Sequence, residues 1–450
     1  MTQSMPPSSW SETTIRSCLA GEFPGAWGSE PGRDGPNAHI LRSTNLDDDG
    51  HINFATAAKR WIDEPHLTQR RLRDGDVLLE SSGGGPGKPV GRVAHFQAPD
   101  SIAYLSSNFF RTLRPDETKV DSRFLAWRLL DLYRQPRIWN FQQQTTGIIN
   151  LKTKDYLQQR FHLPERPEQT RIAAVLDTVD EAIAKTEAVI AKLRQVRAGL
   201  LHDLLTRGLD KNGQLRDPIA HPEQFQDSPL GQIPKEWGCR QLRDLVPPNR
   251  RITYGIVQPG DFDPNGVLLI RGQDYISGWA SREEFFKVAP SRHESYRRSV
   301  TKAGDLLVCI VGATTGAVAQ VPEWIEEANI TQTTARVACE PNKLVARFGL
   351  HVLRSELGQK QVRRYVKGSA QPGLNLQDVE VFWTPVPNPD EQKLIANILD
   401  NHLENEASAT RELAKLQQLK SGLMCDLLTG RVRVPETVAA STRAASSTHT

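Results

Sequence analysis

The spacing of apolar residues predicts two long helices in this chain. In residues 164–207, apolar side chains recur at alternating steps of four and three from Ile172 to Leu204, interrupted at Thr186 and Arg197. This spacing is a heptad seam, the pattern of helices that pack along their length on another helix. Pro167 and Glu168 suit the first turn, where no amide needs an intrahelical partner and the helix dipole favours negative charge.

Residues 387–430 repeat residues 164–207 without a gap at an offset of 223, with 19 of 44 pairs identical. An internal repeat of this length predicts a duplicated structural unit. The identities include Glu168/Glu391, Gln169/Gln392, Leu176/Leu399 and Asp177/Asp400. The seam of the second copy has a polar centre, at His402 and Glu406, so we expect the first copy to pack on it. Arg197 and Lys420 interrupt the two seams at equivalent positions, which predicts a splayed or hydrated level there.

Outside the helices the sequence predicts globular segments at 1–163 and 236–386, and a Pro-, Gly- and Asp-rich linker at 208–235 leads from the first helix to the second segment. The segments echo each other: the run from Arg73 to Leu79 resembles that from Lys302 to Val308, and Thr145–Leu151 resembles Ser369–Leu376. Helices at 164–207 and 387–431 follow the two segments. The Ser/Thr/Ala-rich tail at 432–450 has no pattern, and we expect it to be disordered.

Composition narrows the class of protein without naming it. The 450 residues carry a net charge of only +3, so any basic surface must be local. No apolar run is long enough to span a membrane, and the amino terminus does not resemble a signal peptide. The five cysteines form no CxxC motif, which predicts neither a disulfide framework nor a zinc site. These features favour a cytoplasmic protein.

The arrangement resembles the specificity (S) subunit of type I restriction–modification systems over nearly the whole chain. Three blocks carry the resemblance. They are the helix ending in Gly199-Leu-Leu-His-Asp-Leu-Leu-Thr206, the string Asp227-Ser-Pro-Leu-Gly-Gln-Ile-Pro234 followed by Trp237, and Asp390-Glu-Gln-Lys393 with Leu423-Met-Cys-Asp-Leu-Leu-Thr-Gly430.

The resemblance implies an α+β fold. Two α/β globular target recognition domains would be separated by two long antiparallel helices that form a coiled coil, with a pseudo-twofold repeat. Each domain would read one half of a bipartite site on double-stranded DNA. The helices would set the distance between the halves and dock two methyltransferase (M) subunits, which restriction (R) subunits then join.

The resemblance also implies that this chain is not an enzyme and binds no cofactor or metal. S-adenosylmethionine would sit on the methyltransferase partners, and ATP and Mg on the restriction partners. The sequence agrees, since Val246-Pro-Pro-Asn249 lacks the leading amide or acid and the aromatic of a DNA methyltransferase motif. The string Ser82–Pro89 fails two positions of a phosphate-binding loop. We interpret it, and Val311–Gly316, as surface turns or as glycine loops near DNA phosphates. Asp47–Asp49 is interpreted as a solvated turn.

Basic and amide side chains give candidates for DNA contacts, since phosphate contacts position a protein and base-edge contacts specify the sequence. The candidates in the first segment are Arg70, Arg71, Arg73, Lys88, Lys152 and Lys154. Those in the second are Arg250, Arg251, Gln273, Thr314, Thr315, Arg363, Arg364, Lys367 and Gln371. On the helices, the repeat-related Lys192 and Lys415 are candidates for subunit docking.

Two other functions stay open from the residues alone. One is a DNA-modifying enzyme, which the missing motifs disfavour. The other is a coiled-coil scaffold protein whose globular domains bind proteins, and composition and periodicity allow it. Only the family resemblance favours a DNA-binding specificity subunit over the scaffold.

Overall fold

The computed structural model describes residues 7–32, 35–84, 87–145, 147–368 and 371–437. The chain forms two compact units, the first from residues 1–187 and 412–450 and the second from residues 188–411. No described helix is both long and apolar enough to cross a membrane. Helices occur in this order: α1 (Glu64–Arg70), α2 (Ser122–Arg134), α3 (Thr153–Leu157), α4 (Arg166–Thr206), α5 (Pro290–Ser295), α6 (Ala346–Arg354), α7 (Glu356–Tyr365), α8 (Leu376–Glu380) and α9 (Pro389–Leu427).

Unit 1 contains three small sheets and a separate strand pair. Its strands are β1 (Ser11–Thr14), β2 (Leu19–Pro24), β3 (Ala38–Leu41), β4 (Ala58–Arg60), β5 (Val77–Glu80), β6 (Ser82–Gly84), β7 (Val93–His95), β8 (Tyr104–Ser106), β9 (Phe110–Pro115), β10 (Gln142–Thr145), β11 (Ile148–Leu151) and β12 (Arg160–Leu163). The sheet orders are β2-β9-β5-β7, β4-β3-β8 and β10-β11-β6, and β1 pairs with β12. Among the described residues of this unit, only β3 and β8 pair in parallel.

Unit 2 follows a similar plan with two four-stranded sheets. Its strands are β13 (Phe225–Ser228), β14 (Gly231–Pro234), β15 (Gly238–Gln241), β16 (Thr253–Tyr254), β17 (Val267–Ile270), β18 (Phe286–Val288), β19 (Thr301–Lys302), β20 (Leu306–Cys309), β21 (Val318–Gln320), β22 (Glu327–Ile330), β23 (Thr334–Val337) and β24 (Trp383–Val386). The orders are β16-β23-β20-β21 and β18-β17-β22-β19, with the pairs β13-β14 and β15-β24. Here β17 and β22 run parallel.

A buried glutamate in the first turn of α4 holds unit 1 together. Glu168 accepts a hydrogen bond from the indole Nε1 of Trp10 at 3.1 Å and bonds to the guanidinium of Arg433. Trp10 precedes β1, and Arg433 follows α9, so one carboxylate joins three distant parts of the sequence. Because a buried carboxylate is stable only when it is paired and hydrogen-bonded, these contacts select this arrangement.

Unit 2 repeats this contact around Glu391 in the first turn of α9. Its carboxylate accepts from Trp237 Nε1 at 3.1 Å, from the Leu209 amide at 2.9 Å and from Arg216 at 2.7 Å. Trp237 precedes β15, and Arg216 follows α4. The repeated glutamates are therefore structural groups, each buried at the start of a helix.

The repeated glutamine beside each glutamate fixes the helix to its globular segment. Gln169 Oε1 accepts from the Asp121 amide at 2.7 Å, and its Nε2 donates to the Pro164 carbonyl at 2.8 Å. Gln392 accepts from the Val345 amide at the same distance of 2.7 Å. In both units the bonded amide belongs to the residue before a helix packed in the core, α2 or α6. The same packing in both units therefore explains why glutamine occurs at this position in both copies of the repeat.

The repeated aspartate about two turns further along each helix binds the corresponding neighbour, α2 in unit 1 and α6 in unit 2. Asp177 accepts from Trp127 Nε1 at 2.7 Å and from Arg123 at 3.0 Å, both on α2. Asp400 lies 2.7 Å from His351 Nε2 on α6. In both units, therefore, the glutamate and glutamine in the first turn of the long helix and this aspartate further along it make the contacts with the globular segment.

The two long helices pack antiparallel, as the resemblance implied. As the residue number rises along the first helix and just beyond it, the number of the contacted residue on or just after the second helix falls. The contacts are Glu168 with Arg433 and Asp180 with Lys420 in unit 1, and Arg194 with Glu406 and Leu209 with Glu391 in unit 2. Every seam position of both helices is buried or half-buried, which confirms the heptad pattern. The expectation of a hydrated level is wrong at Lys420, because its ammonium is buried and bonds to Asp180.

Two predicted irregular segments are more ordered than expected. The linker at 208–235 contains the β13–β14 hairpin, and Leu209 is buried in the core of unit 2. The predicted tail begins too early, since Arg433 bonds to Glu168 and Val434 is buried in the core of unit 1. The sequence did not predict this order, because a single buried apolar residue or one ion pair produces no periodic pattern of apolar residues. Residues 438–450 lie outside the described part of the chain.

Substituting Gln169→Ala should destabilise unit 1 by about 1–3 kcal/mol, because the Asp121 amide would be left buried without an acceptor. The measurement is the urea unfolding midpoint, with hydrogen exchange at the Asp121 amide as a local readout. Gln418→Ala, at an exposed position of α9, is the matched control and should change stability by less than about 0.5 kcal/mol. Equal effects of the two substitutions would contradict the assigned role of Gln169.

Candidate nucleic-acid interface

In unit 1 the glycine-rich segment after β5 pairs with a hairpin. Strand β6 lies beside β11, with Gly84 opposite Ile149 and Ser82 opposite Asn150. A Cβ on Gly84 would lie 2.6 Å from the Lys88 carbonyl oxygen, so the close turn requires glycine here. Residues 85 and 86 of this loop, and residue 146 at the hairpin tip, lie outside the described residues. The pairing puts Lys88 and Lys152 on one exposed loop cluster.

In unit 2 the corresponding loop, Val311–Gly316, packs beside residues 367 and 371–374. Val311 and Lys367 both form bridges to Gly373, and the Gly312 amide donates to the Pro372 carbonyl at 2.9 Å. This packing brings the predicted Thr314, Thr315, Lys367 and Gln371 into one neighbourhood. Ser369 and Ala370, from the repeated string, lie outside the described residues.

Most predicted contact residues are on the surface. Exposed side chains are those of Arg71, Arg73, Lys88, Lys152, Lys154, Arg251, Gln273, Thr314, Arg363, Arg364, Lys367 and Gln371. Lys192 on α4 and Lys415 on α9 are also exposed. Exposure permits the predicted contacts with DNA or partner subunits, which stay predictions.

Several predicted residues are engaged within the protein. Arg250 binds the buried carboxylate of Asp305 through two bonds of 3.0 and 2.6 Å, which argues against a phosphate contact. Thr315 Oγ1 donates to the Gly312 and Pro372 carbonyls, so it holds the loop together. Arg70 donates to the Gly25 carbonyl, and Arg363 bonds to Glu356. Thr314 Oγ1 lies 3.4 Å from Cys309 Sγ, and Lys367 Nζ lies 3.9 Å from Asp378. Nothing in the local sequence distinguishes these engaged residues from surface residues without an internal partner.

A cleft in unit 1 was not predicted from the sequence. It has a volume of about 320 Å³, and Trp27, Trp61, Arg70 and Asn108 line part of it. The indoles of Trp27 and Trp61 are 36% and 43% exposed, and the Arg60 guanidinium stacks 4.5 Å from the centroid of Trp27. Exposed aromatic faces beside arginine are surfaces on which bases stack. The two tryptophans lie far apart in sequence and in no motif, so only the fold reveals the cleft.

A second cavity of about 530 Å³ lies between the globular part of unit 1 and α4. At its edge, His51 Nε2 lies 2.8 Å from Asp180 and Nδ1 lies 2.9 Å from Asp47. These hydrogen bonds, first to Asp180 and then to Asp47, raise the pKa of His51 to about 10. The same contact with His51 lowers the pKa of Asp47 to about 2 against the opposing effect of burial. Asp47–Asp49 is therefore part of an ionic network as well as a turn.

The same network includes Lys420 and Arg134. Lys420 bonds to Asp180 and lies 3.6 Å from Asp49, which also binds Arg134. The Lys420 ammonium lies 5.1 Å from the centroid of the Trp127 ring. The charges are thus balanced by neighbours, and we interpret the cavity as a structural junction. Among the described residues, no group of three or more His, Cys, Asp or Glu side chains could hold a metal ion.

The raised pKa of His51 predicts a pH-dependent contribution to stability. The imidazolium stabilises the fold fully below pH about 6.5, its ordinary pKa, and this stabilisation is lost as pH rises through about 10. His51→Gln should therefore lower the urea unfolding midpoint more at pH 6 than at pH 9.5. Asp180→Asn should reduce the same difference. A loss of stability that is equal at both pH values would contradict the charged pair.

A family model described as the type I restriction modification DNA specificity domain matches residues 39–195 and 272–419. The chain is similar to the specificity subunit of the type I restriction enzyme EcoBI of Escherichia coli, with 28% identity over 302 residues. That match covers 65% of this chain but only 62% of the relative, less than two thirds of its length. The MjaVIII specificity subunit of Methanocaldococcus jannaschii is 25% identical over 65% of this chain and 67% of its own.

Solved structures show the same fold. The S subunit of a type I restriction–modification system from M. genitalium has a TM-score of 0.56 at 15% identity, covering 94% of this chain and 99% of its own. A chain from a study of complex assembly and conformational transition of the type I R-M system has a TM-score of 0.50 at 17% identity, covering 95% and 100%. The family model spans more than half of the sequence and occurs twice, once on each unit's globular segment and helix. The chain therefore belongs to the family of type I restriction–modification DNA specificity subunits.

Proposed function

We propose that this chain is the sequence-specific DNA-binding subunit of a type I restriction–modification complex. Each globular segment reads one half of a bipartite site on double-stranded DNA. The observation that carries the proposal is the duplication of a whole unit, because the buried tryptophan–glutamate and glutamine contacts are repeated in the two units while their surface loops differ. Such a pair of readers suits an asymmetric site with two different halves.

The proposed partners are two methyltransferase subunits and restriction subunits. Lys192 and Lys415 support this part of the proposal, since they occupy equivalent exposed positions on the two helices. A surface that occurs twice can bind two copies of one partner. In this proposal the chain itself is not an enzyme, and its cofactors are those of the partners: S-adenosylmethionine for methylation, ATP and Mg for restriction. The complex acts on cytoplasmic DNA.

A scaffold that binds only proteins is the competing function. Gel shift of the chain with its methyltransferase partner separates the two, because a DNA reader retards specific DNA in the presence of excess random DNA. The exposed loop cluster with Lys88 and Lys152 favours the DNA reader. A complex that assembles with the methyltransferase but retards no DNA would favour the scaffold.

Exchange of one globular segment tests the modular part of the proposal. Replacing residues 236–386 with the matching segment of a relative should change one half of the methylated site and leave the other half unchanged. The measurement is sequencing of methylated positions in host DNA. The replacement must carry a tryptophan at the position of Trp237, since Glu391 would otherwise lose a buried donor. A change in both halves, or loss of methylation in an assembled complex, would contradict independent reading.

Substitution of the loop lysines tests the contact surface. Lys88→Ala and Lys152→Ala should each weaken binding to all DNA sequences and lower the slope of log affinity against log salt by about 1. The readout is fluorescence anisotropy of labelled DNA at several salt concentrations. Lys119→Ala is the control, because Lys119 is exposed but pairs with Asp116 at 2.8 Å beside the start of α2. An unchanged slope in both loop variants would remove these lysines from the interface.

A further inference from the structure

Each unit has a two-residue turn at its surface where the chain passes from one sheet to another. In unit 1, Asn108 and Phe109 connect β8 to β9, and the Phe110 amide donates to the Ser107 carbonyl at 3.0 Å. The Asn108 and Phe109 side chains are both exposed. Turns that carry exposed polar side chains on a rigid scaffold are common sites of recognition.

Backbone hydrogen bonds hold this turn from several sides. The Ser107 amide donates to the Leu41 carbonyl at 2.9 Å, at the end of β3. The Phe109 carbonyl accepts from the Ser81 amide at 2.8 Å, at the start of the glycine-rich segment. The Ala26 amide donates to the Ser106 carbonyl at 2.8 Å. The turn is therefore fixed before any ligand binds.

Unit 2 contains the same turn with different side chains, Gln332 and Thr333 between β22 and β23. The Thr334 amide donates to the Thr331 carbonyl at 3.2 Å, which closes the turn. The surrounding hydrogen bonds also correspond to those of unit 1. The Thr331 amide donates to the Ile270 carbonyl at 3.2 Å, the Ile310 amide to the Thr333 carbonyl at 2.8 Å, and the Ile256 amide to the Ile330 carbonyl at 2.7 Å. The two turns are thus equivalent features of the duplicated fold.

A glycine in each unit permits this packing. A Cβ on Gly25 would lie 2.2 Å from the Ser106 carbonyl oxygen, and a Cβ on Gly255 would lie 1.7 Å from the equivalent Ile330 carbonyl oxygen. No other residue fits at either position without movement of the backbone. Two positions that require glycine for the same contact show that the fold of each unit is built to support its turn.

The side chains at the tip have the chemistry of base readers. Asn108 and Gln332 occupy equivalent positions and are exposed, and neither side chain hydrogen-bonds to another residue within the described ranges. Asparagine and glutamine are the side chains that bond adenine N6 and N7 at the same time in the major groove. The residues after Gly25-Ala26 and Gly255-Ile256 are the exposed apolar Trp27 and Val257, which suit contact with a thymine methyl.

Both turns also lie beside the loops with the predicted phosphate contacts. In unit 1, a Cβ on Gly83 would lie 3.2 Å from the Phe109 ring, so this ring covers the glycine-rich segment. In unit 2, the Thr333 carbonyl is bonded to Ile310, which directly precedes the Val311–Gly316 loop. Groups that contact phosphates position a protein, and the side chain between them can then specify a base.

We propose that Asn108 and Gln332 each bind the edge of an adenine base in the half-site read by their own unit. The inference rests on the proposed function and adds to it the residues that select a base. A bidentate contact of this kind gives discrimination of roughly 5- to 150-fold against the wrong base.

The experiment uses the full chain in complex with its methyltransferase subunits and selects bound DNA from a random library, followed by sequencing. The wild-type complex should yield a bipartite site with an adenine–thymine pair in each half at the position in question. Asn108→Ala should lower the preference for adenine at one position of one half by roughly 5- to 150-fold and leave the other half intact. Gln332→Ala should do the same in the other half.

Two further variants separate loss of reading from loss of folding. Asn108→Asp and Gln332→Glu keep the size of the side chain but can only accept hydrogen bonds, so preference should move from adenine toward cytosine, whose N4 donates. Gln158→Ala and Gln224→Ala, at exposed positions outside the turns, are matched controls and should leave the site unchanged.

The possible failures are distinguishable. If the wild-type complex selects no sequence, the proposed function is wrong and the inference falls with it. If the wild type selects a bipartite site and the alanine and acidic variants select the same bases at every position, the proposed function stands and the turns are not the readers. A change in both halves from a single substitution would also overturn the inference.

Discussion

The fold of each unit depends on a buried glutamate at the start of a long helix. Glu168 and Glu391 each accept an indole N–H from the tryptophan that opens the globular segment and an arginine from the chain that follows the other long helix. A carboxylate removed from water is costly unless these donors are present. The fold therefore requires three parts of each unit to come together at the same carboxylate. They are the start of one long helix, the chain after the other long helix and the tryptophan that opens the globular segment.

This constraint explains why sequence repeats predicted much of the fold. Residues with the same internal partners in both units, such as Gln169 and Gln392, are identical in the two copies. Periodicity alone predicted the helices and the seam, because helix packing is local and regular. It could not predict that Lys420 is buried, since its partner Asp180 lies on the other helix, at 240 residues' separation in sequence.

The candidate site was harder to predict than the fold for the same physical reason. Sequence reasoning selected basic pairs, yet Arg250 turned out to neutralise the buried Asp305, a partner 55 residues away. It missed Asn108 and Gln332, because single polar residues between apolar runs resemble ordinary turns. Their equivalence shows only in the backbone bonds to Leu41 and Ile270, which are tertiary contacts.

The two duplicated units share the residues that support each turn but differ in the side chains at its surface. The glycines that support the turns, Gly25 and Gly255, make the same close contact with a carbonyl oxygen, whereas the tips differ, with Asn-Phe in one unit and Gln-Thr in the other. Because the backbone bonds that fix each turn do not involve the tip side chains, those side chains can change without loss of the fold. A specificity protein needs this independence, since a new target sequence requires new surface residues on an unchanged framework.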